Sequence, residues 1–493
     1  MADKISYSDG CFLQALIEGL KEQKLDSAAR ERSVRWLDAR ASRIRRRANG
    51  YWKLPPGKEE FVLFLESIRE LFRIGTSEQV VTKCLEDYIQ VLNKVSSQCK
   101  VAILVQEKNI WPSMESVYAA MEADDRFEVR LVYVPFSHMN KTAENGLRPY
   151  LDDGLPALSH TEYDLSGENP DVVIFSKPYD GVPPQFYIGE VEKIIERTVY
   201  IPYGMELNYD LIYYGFQNYL HYRAWRHVGY GPLMKQVGTQ CGFRNGENIA
   251  VWGHPKADQH QPDRKYSIPE EWKKKIRGRR VLLWCPHHTI VPGPECVSTW
   301  LDFSETIFAL AEKHKDIVLL WRPHPLLMGA LVNNRYMTQE ELDRFVAEKT
   351  AMDNVILDRS EDYRVSFAAS DGMISDGTTF SFEYLYTKKP LMLTTKKPES
   401  FYNGEALKKG LYIGENAKEI AAFMDGFAAG QDPKRQARDN LRRELFFLPQ
   451  GKSVGQNIAD NIIADIRREE TTCARELICN ERKKKTTSNK SEK

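Results

Sequence analysis

From Lys100 onward, short apolar runs alternate with amphipathic stretches, and that alternation confines most of the chain to an α/β fold. Val101–Val105 and Val129–Val134 read as buried strands, with a helical Met114–Ala123 between them. Such a β-α-β unit needs a parallel sheet and a crossover helix. Asp171–Phe175 and Thr198–Ile201 continue the series. Val281–Trp284, Ile317–Trp321, Val355–Leu357, Gly372–Ile374 and Pro390–Thr394 form a second one. The spacing predicts two Rossmann-like halves of similar size with a cleft between them. In open α/β sheets, ligands bind beyond the carboxyl ends of the strands, and the polar motifs below all follow strands at that end.

The first 98 residues follow a different rule. Phe61, Leu65, Ile68 and Phe72 recur at helical spacing, as do Val81, Leu85, Tyr88, Leu92 and Val95, with Gly75-Thr76-Ser77 as the turn. A helical hairpin with an earlier helix before it is expected. Boundaries are placed at 1–98 (helical region), 99–255 (first Rossmann-like domain), 256–470 (second) and 471–493 (basic tail, expected to be disordered). Lys+Arg and Asp+Glu both number 69, so net charge makes no case for a polyanion, and no nucleic-acid partner is expected. Residues 30–47 nevertheless hold eight arginines against Glu31 and Asp38. They are read either as a solvated helix face or as a surface for anionic lipid headgroups, the latter kept open by Trp36, Tyr51 and Trp52. Eight scattered cysteines include no CxxC pair, which fits a reducing cytosol. Neither a secretory leader nor an apolar span of about 20 residues is seen, so a cytoplasmic protein is expected, with any membrane work done from the surface.

Two stretches carry the chemistry. Arg322-Pro323-His324-Pro325 ends an apolar strand; Arg offers a planar fork for phosphate oxygens, and His324 can donate a hydrogen bond or a proton. Ser375-Asp376-Gly377-Thr378-Thr379 reads as a strand-to-helix turn that presents backbone N–H groups and hydroxyls to one point. Converging, they would hold a diphosphate, and the alternatives are an ordinary surface salt bridge and plain helix capping. Glu383 is placed either against ribose hydroxyls or on an exposed helix face. His287 and His288 are expected to point apart, one of them into the cleft, without sharing a metal. Gly253-His254-Pro255-Lys256-Ala257-Asp258 positions donor phosphates or forms the hinge. Gly451-Lys452-Ser453 lacks Walker spacing and is read as a helix start folded back on the cleft.

These segments resemble the CDP-glycerol:poly(glycerophosphate) glycerophosphotransferase family, over roughly residues 100–465. The likeness rests on Gly253–Asp258, Leu282–Thr289, Arg322–Pro325, Ser375–Thr379 and Glu383-Tyr384. It implies the GT-B fold and transfer of glycerol phosphate, or a related polyol phosphate, from a CDP donor to a wall or capsule polymer. Arg322, His324, Ser375, Asp376, Gly377, Thr378 and Thr379 would bind the donor diphosphate. His254, Lys256, His287 and Glu383 would bind the ribose or nucleotide. The family usually carries Ala-Pro-Thr where Cys285-Pro286-His287-His288-Thr289 stands, and a His where Tyr203 stands. A phenol with pKa about 10 is a poor base at neutral pH. Glu206 or His288 is expected to replace it, with His324 as the third catalytic residue.

The expected protein is therefore a metal-independent GT-B transferase without a cofactor. Its partners would be a nucleotide-activated donor, a polymeric or lipid-linked acceptor and, through residues 30–47, an anionic membrane. Two alternatives stand beside it: a GT-B glycosyltransferase using a nucleotide sugar, and a non-catalytic nucleotide-binding scaffold, which Tyr203 favours.

Overall fold

The computed structural model describes residues 6–47, 58–92, 96–136, 143–179, 181–205, 216, 218–293, 296–376, 379–395 and 404–478. The apolar runs pair into two wholly parallel sheets. The first holds β1 (Cys99–Val105), β2 (Phe127–Tyr133), β3 (Ala157–Ser159), β4 (Val172–Phe175), β5 (Arg197–Tyr200), β6 (Arg226–Gly229) and β7 (Ile249–Val251), in the order β3-β2-β1-β4-β5-β6-β7. The second holds β8 (Arg280–Cys285), β9 (Ile317–Trp321), β10 (Val355–Leu357), β11 (Gly372–Ser375), β12 (Leu391–Thr394) and β13 (Tyr412–Gly414), in the order β10-β9-β8-β11-β12-β13. Both orders reverse beside their first strand, at β1/β4 and β8/β11. A reversal opens a crevice between crossover helices that leave on opposite faces. The protein is thus the expected GT-B arrangement of two Rossmann-like units.

The central strands are buried on both faces, which is why they read as unbroken apolar runs. In the second unit Trp284, Trp300 and Trp321 stack in the core, with ring centroids 5.2–6.3 Å apart. The expected helical region is four helices: α1 (Tyr7–Glu22), α2 (Ser27–Arg47), α3 (Lys58–Arg73) and α4 (Glu78–Leu92).

The last helix, Val454–Ile478, does not stay with the second sheet. It crosses back to pack on α1 and α5 (Glu115–Glu122). A Cβ on Gly455 would lie 2.1 Å from the Ser116 carbonyl oxygen, so only glycine permits this crossing. Asp258 accepts from the amides of Val454 and Gly455, both at 2.9 Å, and so caps the helix. The helix also runs through residues 471–478, which were expected to be disordered. Ala474, Leu477 and Ile478 are buried against the helical bundle there.

The arginine-rich stretch is divided: Arg30 and Arg40 face into the bundle, whereas Arg35 and Arg45 are exposed. Arg30 pairs with Glu78, Arg45 with Glu66, and Arg40 with both Asp9 and Glu470. Trp36 stacks on Phe12 at 5.0 Å. Glu470 also accepts from the Ser8 hydroxyl at 2.8 Å and from Arg197 at the start of β5. This buried network ties bundle, last helix and first sheet together at the amino ends of the strands, away from the cleft. Among the described residues, no helix is long and apolar enough to cross a membrane. Glu470→Ala would leave Arg197 and Arg40 buried without their shared carboxylate. Urea unfolding should show a loss of about 3–5 kcal/mol for this variant; a loss below about 1 kcal/mol would mean that the network is not needed.

Candidate active site

The loops after β8 and β9 stay zipped beyond the strands. Arg322 donates its amide to the Trp284 carbonyl at 2.9 Å, and His324 donates to the Pro286 carbonyl at 3.0 Å. This register sets His324 beside His287 and His288. Ring centroids are 4.1 Å apart for His288–His324, 4.3 Å for His287–His288 and 5.0 Å for His287–His324. The adjacent histidines therefore do not point apart. The chain bends at His288 rather than running extended, and His287 is held from both sides. Its amide donates to Asp376 at 2.6 Å, and its carbonyl accepts from Ser298 at 2.8 Å.

Burial is the main force on these imidazoles, with their neighbours adding to it. Burial, then His288 and His324, push His287 down to about 3. Burial, then His288, push His324 down to about 4, and burial lowers His288 as well. All three are neutral at pH 7. Their tautomers follow from the backbone. The Leu326 amide donates to His324 Nδ1 at 3.1 Å. The Thr289 amide donates to His287 Nδ1 at 3.4 Å, and Thr289 Oγ1, which itself accepts from the Val297 amide, lies 2.9 Å from that nitrogen. An Nδ1 that accepts puts the ring proton on Nε2. His287 and His324 thus offer Nε2–H donors. The trio is also the one grouping among the described residues whose ligand atoms lie close enough, within 4.8 Å, to share a metal ion. An imidazole ligand, however, usually donates its other N–H to a neighbour. Here that other nitrogen accepts, so the arrangement suits an anion better than a cation.

Several expected ligands are occupied elsewhere. Arg322 turns to Asp358 and Ser360, with its Nη2 donating to the Ser360 carbonyl at 2.8 Å. Asp358 follows β10 in register with Trp321, which brings its buried carboxylate to the guanidinium before any phosphate could reach it. Asp376 is not a diphosphate ligand either. It is fully buried and accepts from the His287 amide, Thr299 Oγ1 at 2.6 Å and Thr394 Oγ1 at 2.9 Å. Ser375 ends β11 inside the core, with its hydroxyl buried and unpartnered. Thr379 opens a helix of only six residues, Thr379–Tyr384. Gly377, Thr378 and Glu206 lie outside the described residues.

Glu383 is neither a ribose ligand nor exposed. It is buried against Lys256 Nζ at 2.8 Å, His260 Nε2 at 3.0 Å and Tyr363 Oη at 2.7 Å. Lys256 is spent in the same contact. His254 accepts from the Lys256 amide on Nδ1 and donates from Nε2 to the Pro202 carbonyl at 2.7 Å. The segment 253–258 therefore bridges the two units, through Lys256 to Glu383 and through His254 to Pro202. It ties both units to the loop after β5. That loop enters the cleft: a Cβ on Gly204 would lie 2.8 Å from Thr379 Cγ2, and Tyr203 Oη is 3.1 Å from Tyr179 Oη. The first unit thus presents Tyr203-Gly204 to the helix start of the second.

Residues 232–463 match the family described as CDP-Glycerol:Poly(glycerophosphate) glycerophosphotransferase. No curated protein sequence matches the chain. Among solved structures, a UDP-N-acetylglucosamine 2-epimerase is similar at 12% identity and a TM-score of 0.49, covering 76% of this chain and 98% of that one. The wall teichoic acid polymerase TagF is similar at 14% and 0.49, covering 76% and 90%. A TagF structure soaked with CDPG stands at 15% and 0.49, covering 84% and 99%. The strand order alone establishes the two-sheet topology.

The Glu383 clamp has a pH signature. Burial raises its carboxyl, but the charge of Lys256 and the hydrogen bond from His260 outweigh burial and hold it at about 2, below its ordinary 4.5. Its contribution is therefore full above pH 4.5 and is lost as pH falls toward 2. Glu383→Gln should cost about 3 kcal/mol at pH 7 in urea unfolding. The gap to the parent should narrow below pH 4.5; a gap that widens on acidification would contradict the clamp.

Proposed function

We propose, from the match of residues 232–463 to the CDP-glycerol:poly(glycerophosphate) glycerophosphotransferase family, that the protein transfers glycerol phosphate, or a related polyol phosphate, from a CDP-activated donor to a hydroxyl of a cell-envelope acceptor. The observation that carries this reading is the trio of His287, His288 and His324 beyond β8 and β9, which offers neutral N–H donors to a diphosphate.

In the reaction, the acceptor oxygen attacks the β-phosphorus of the donor. A new P–O bond forms, the bond from that phosphorus to the bridging oxygen breaks, and the electron pair leaves with CMP. The acceptor's hydroxyl proton is released to solvent, so that CMP, the new phosphodiester and one proton balance donor and acceptor. Charge gathers on the departing phosphate, and donors already aimed at it lower the barrier without reorganising. His324 is the donor expected to follow that charge, because its ring is fixed by the Leu326 amide and flanked by two further imidazoles. Tyr203 stands on the opposite wall, where the acceptor hydroxyl would approach. The enzyme works without a metal in this reading, because the Nε2 atoms of His287 and His324 carry protons in place of lone pairs. It acts at the cytoplasmic face of the membrane, where an envelope acceptor would be reached.

Three outcomes are expected. His324→Ala should lower CMP release from CDP-glycerol by about 100-fold or more while leaving the unfolding curve unchanged; near-parental turnover would remove His324 from the mechanism. A chelator should leave the rate unchanged, and activity lost to a chelator and restored by a divalent ion would refute metal independence. CDP-glycerol has no group of its own titrating between pH 5 and 7, so a diphosphate that favours imidazolium should draw a proton onto His288, the ring of the trio whose Nδ1 no backbone amide occupies. Calorimetry at pH 5.5 in buffers of different ionisation enthalpy should show net uptake, and net release would contradict the site.

A further inference from the structure

The loop after β5 belongs to the first unit by chain, yet three of its contacts come from the second unit and from the segment that bridges the two. Pro202 accepts on its carbonyl from His254 Nε2 at 2.7 Å. Gly204 lies against Thr379, whose Cγ2 would be 2.8 Å from a Cβ there. Met205 accepts on its sulfur from the Tyr386 hydroxyl at 3.4 Å, in the turn Leu385–Thr387 that follows the helix Thr379–Tyr384. Tyr203 stands in the chain between the first two of these contacts.

The imidazole has a rigid mount. His254 is fully buried. Gly253 before it has φ +94° and no room for a Cβ, which would lie 2.9 Å from the Phe447 carbonyl oxygen. The Gly253 amide donates to the Gly229 carbonyl, at the end of β6, at 3.1 Å. On the other side, Lys256 is held by Glu383 and Asp258 by the start of the last helix. The Lys256 amide donates to His254 Nδ1 at 3.3 Å, which puts the ring proton on Nε2. Pro202 needs that proton. It has no N–H of its own to pair, and a buried carbonyl left without a donor is costly. From this arrangement we infer that His254 is a positioning residue: through the Pro202 carbonyl it sets where Tyr203 stands against the helix start at Thr379. It acts through the backbone and not on the substrate. The use of that placement, a fixed wall for the attacking hydroxyl, rests on the transferase reading; the placement itself does not.

Two variants of the full chain divide the two nitrogens of the ring. His254→Asn keeps an acceptor for the Lys256 amide but stops short of Pro202. His254→Gln reaches Pro202 with an amide N–H in the place of Nε2. With 3-fluorotyrosine incorporated at Tyr203 alone, the fluorine resonance should shift or split in His254→Asn and stay parental in His254→Gln, while circular dichroism of both variants stays parental. CMP release from CDP-glycerol, with glycerol as the hydroxyl probe, should show kcat lowered about tenfold or more in His254→Asn. KM for CDP-glycerol should be unchanged, and His254→Gln should restore kcat. A parental resonance in His254→Asn, a disturbed one in folded His254→Gln, or a raised KM with kcat unchanged would overturn the inference, the last by making His254 a donor ligand. Failure of both variants to fold would overturn it as well, because the Gln side chain should suffice. A parent that releases no CMP to glycerol or to water would count against the transferase reading alone, and the fluorine spectra would then decide the placement.

Discussion

One buried carboxylate organises the second half of the cleft. Asp376, at the end of β11, receives the His287 amide from the loop after β8, Thr299 from the turn before the helix Trp300–Lys313, and Thr394 from the end of β12. Burial raises the pKa of such a group, and the three donors work against that rise. The geometric result is that three strand ends are held in one register at the β8/β11 switch point. His287 can then bend back on His288, and the zipped β9 loop brings His324 to meet them. A buried carboxylate thus shapes the proposed diphosphate site from outside it. Its own charge is spent on amide and hydroxyl donors behind the imidazoles.

The same economy governs the other charged groups near the cleft. Arg322 is closed off by Asp358, and Lys256 by Glu383. Glu115 of α5 holds Arg364 of the second unit. Fixed cations therefore brace the walls and the hinge, while neutral imidazoles face the opening. Neutral donors avoid the desolvation cost that an unpaired buried charge would carry before the ligand arrives. His288, whose Nδ1 no backbone amide occupies, can still gain a proton when a diphosphate binds.

Much of the architecture was legible in the sequence because parallel strands buried on both faces leave unbroken apolar runs, such as Ile317–Trp321. Their polar sequels marked the functional ends of the strands. His324 stands out this way. What stayed hidden were partners supplied from a distance. Nothing local in Arg322-Pro323-His324 indicates that Asp358, 36 residues later, captures the guanidinium. Glu383 likewise meets Lys256 across 127 residues. The pairing of His287 with His288 was missed because extended backbone was assumed where Asp376 and Ser298 impose a bend. The return of the last helix to the first unit was signalled only by Asp258 and Gly455, whose roles as cap and crossing point exist only in the folded chain.

The central claim is that His287 and His324 face the cleft as neutral Nε2–H donors that take the donor diphosphate. Long-range proton–nitrogen correlation spectra of imidazole-labelled protein report it directly. The account predicts Nε2–H tautomers for both residues at pH 7 and a downfield movement of those protons when CDP-glycerol is added. Nδ1–H tautomers, or resonances indifferent to CDP-glycerol, would contradict it.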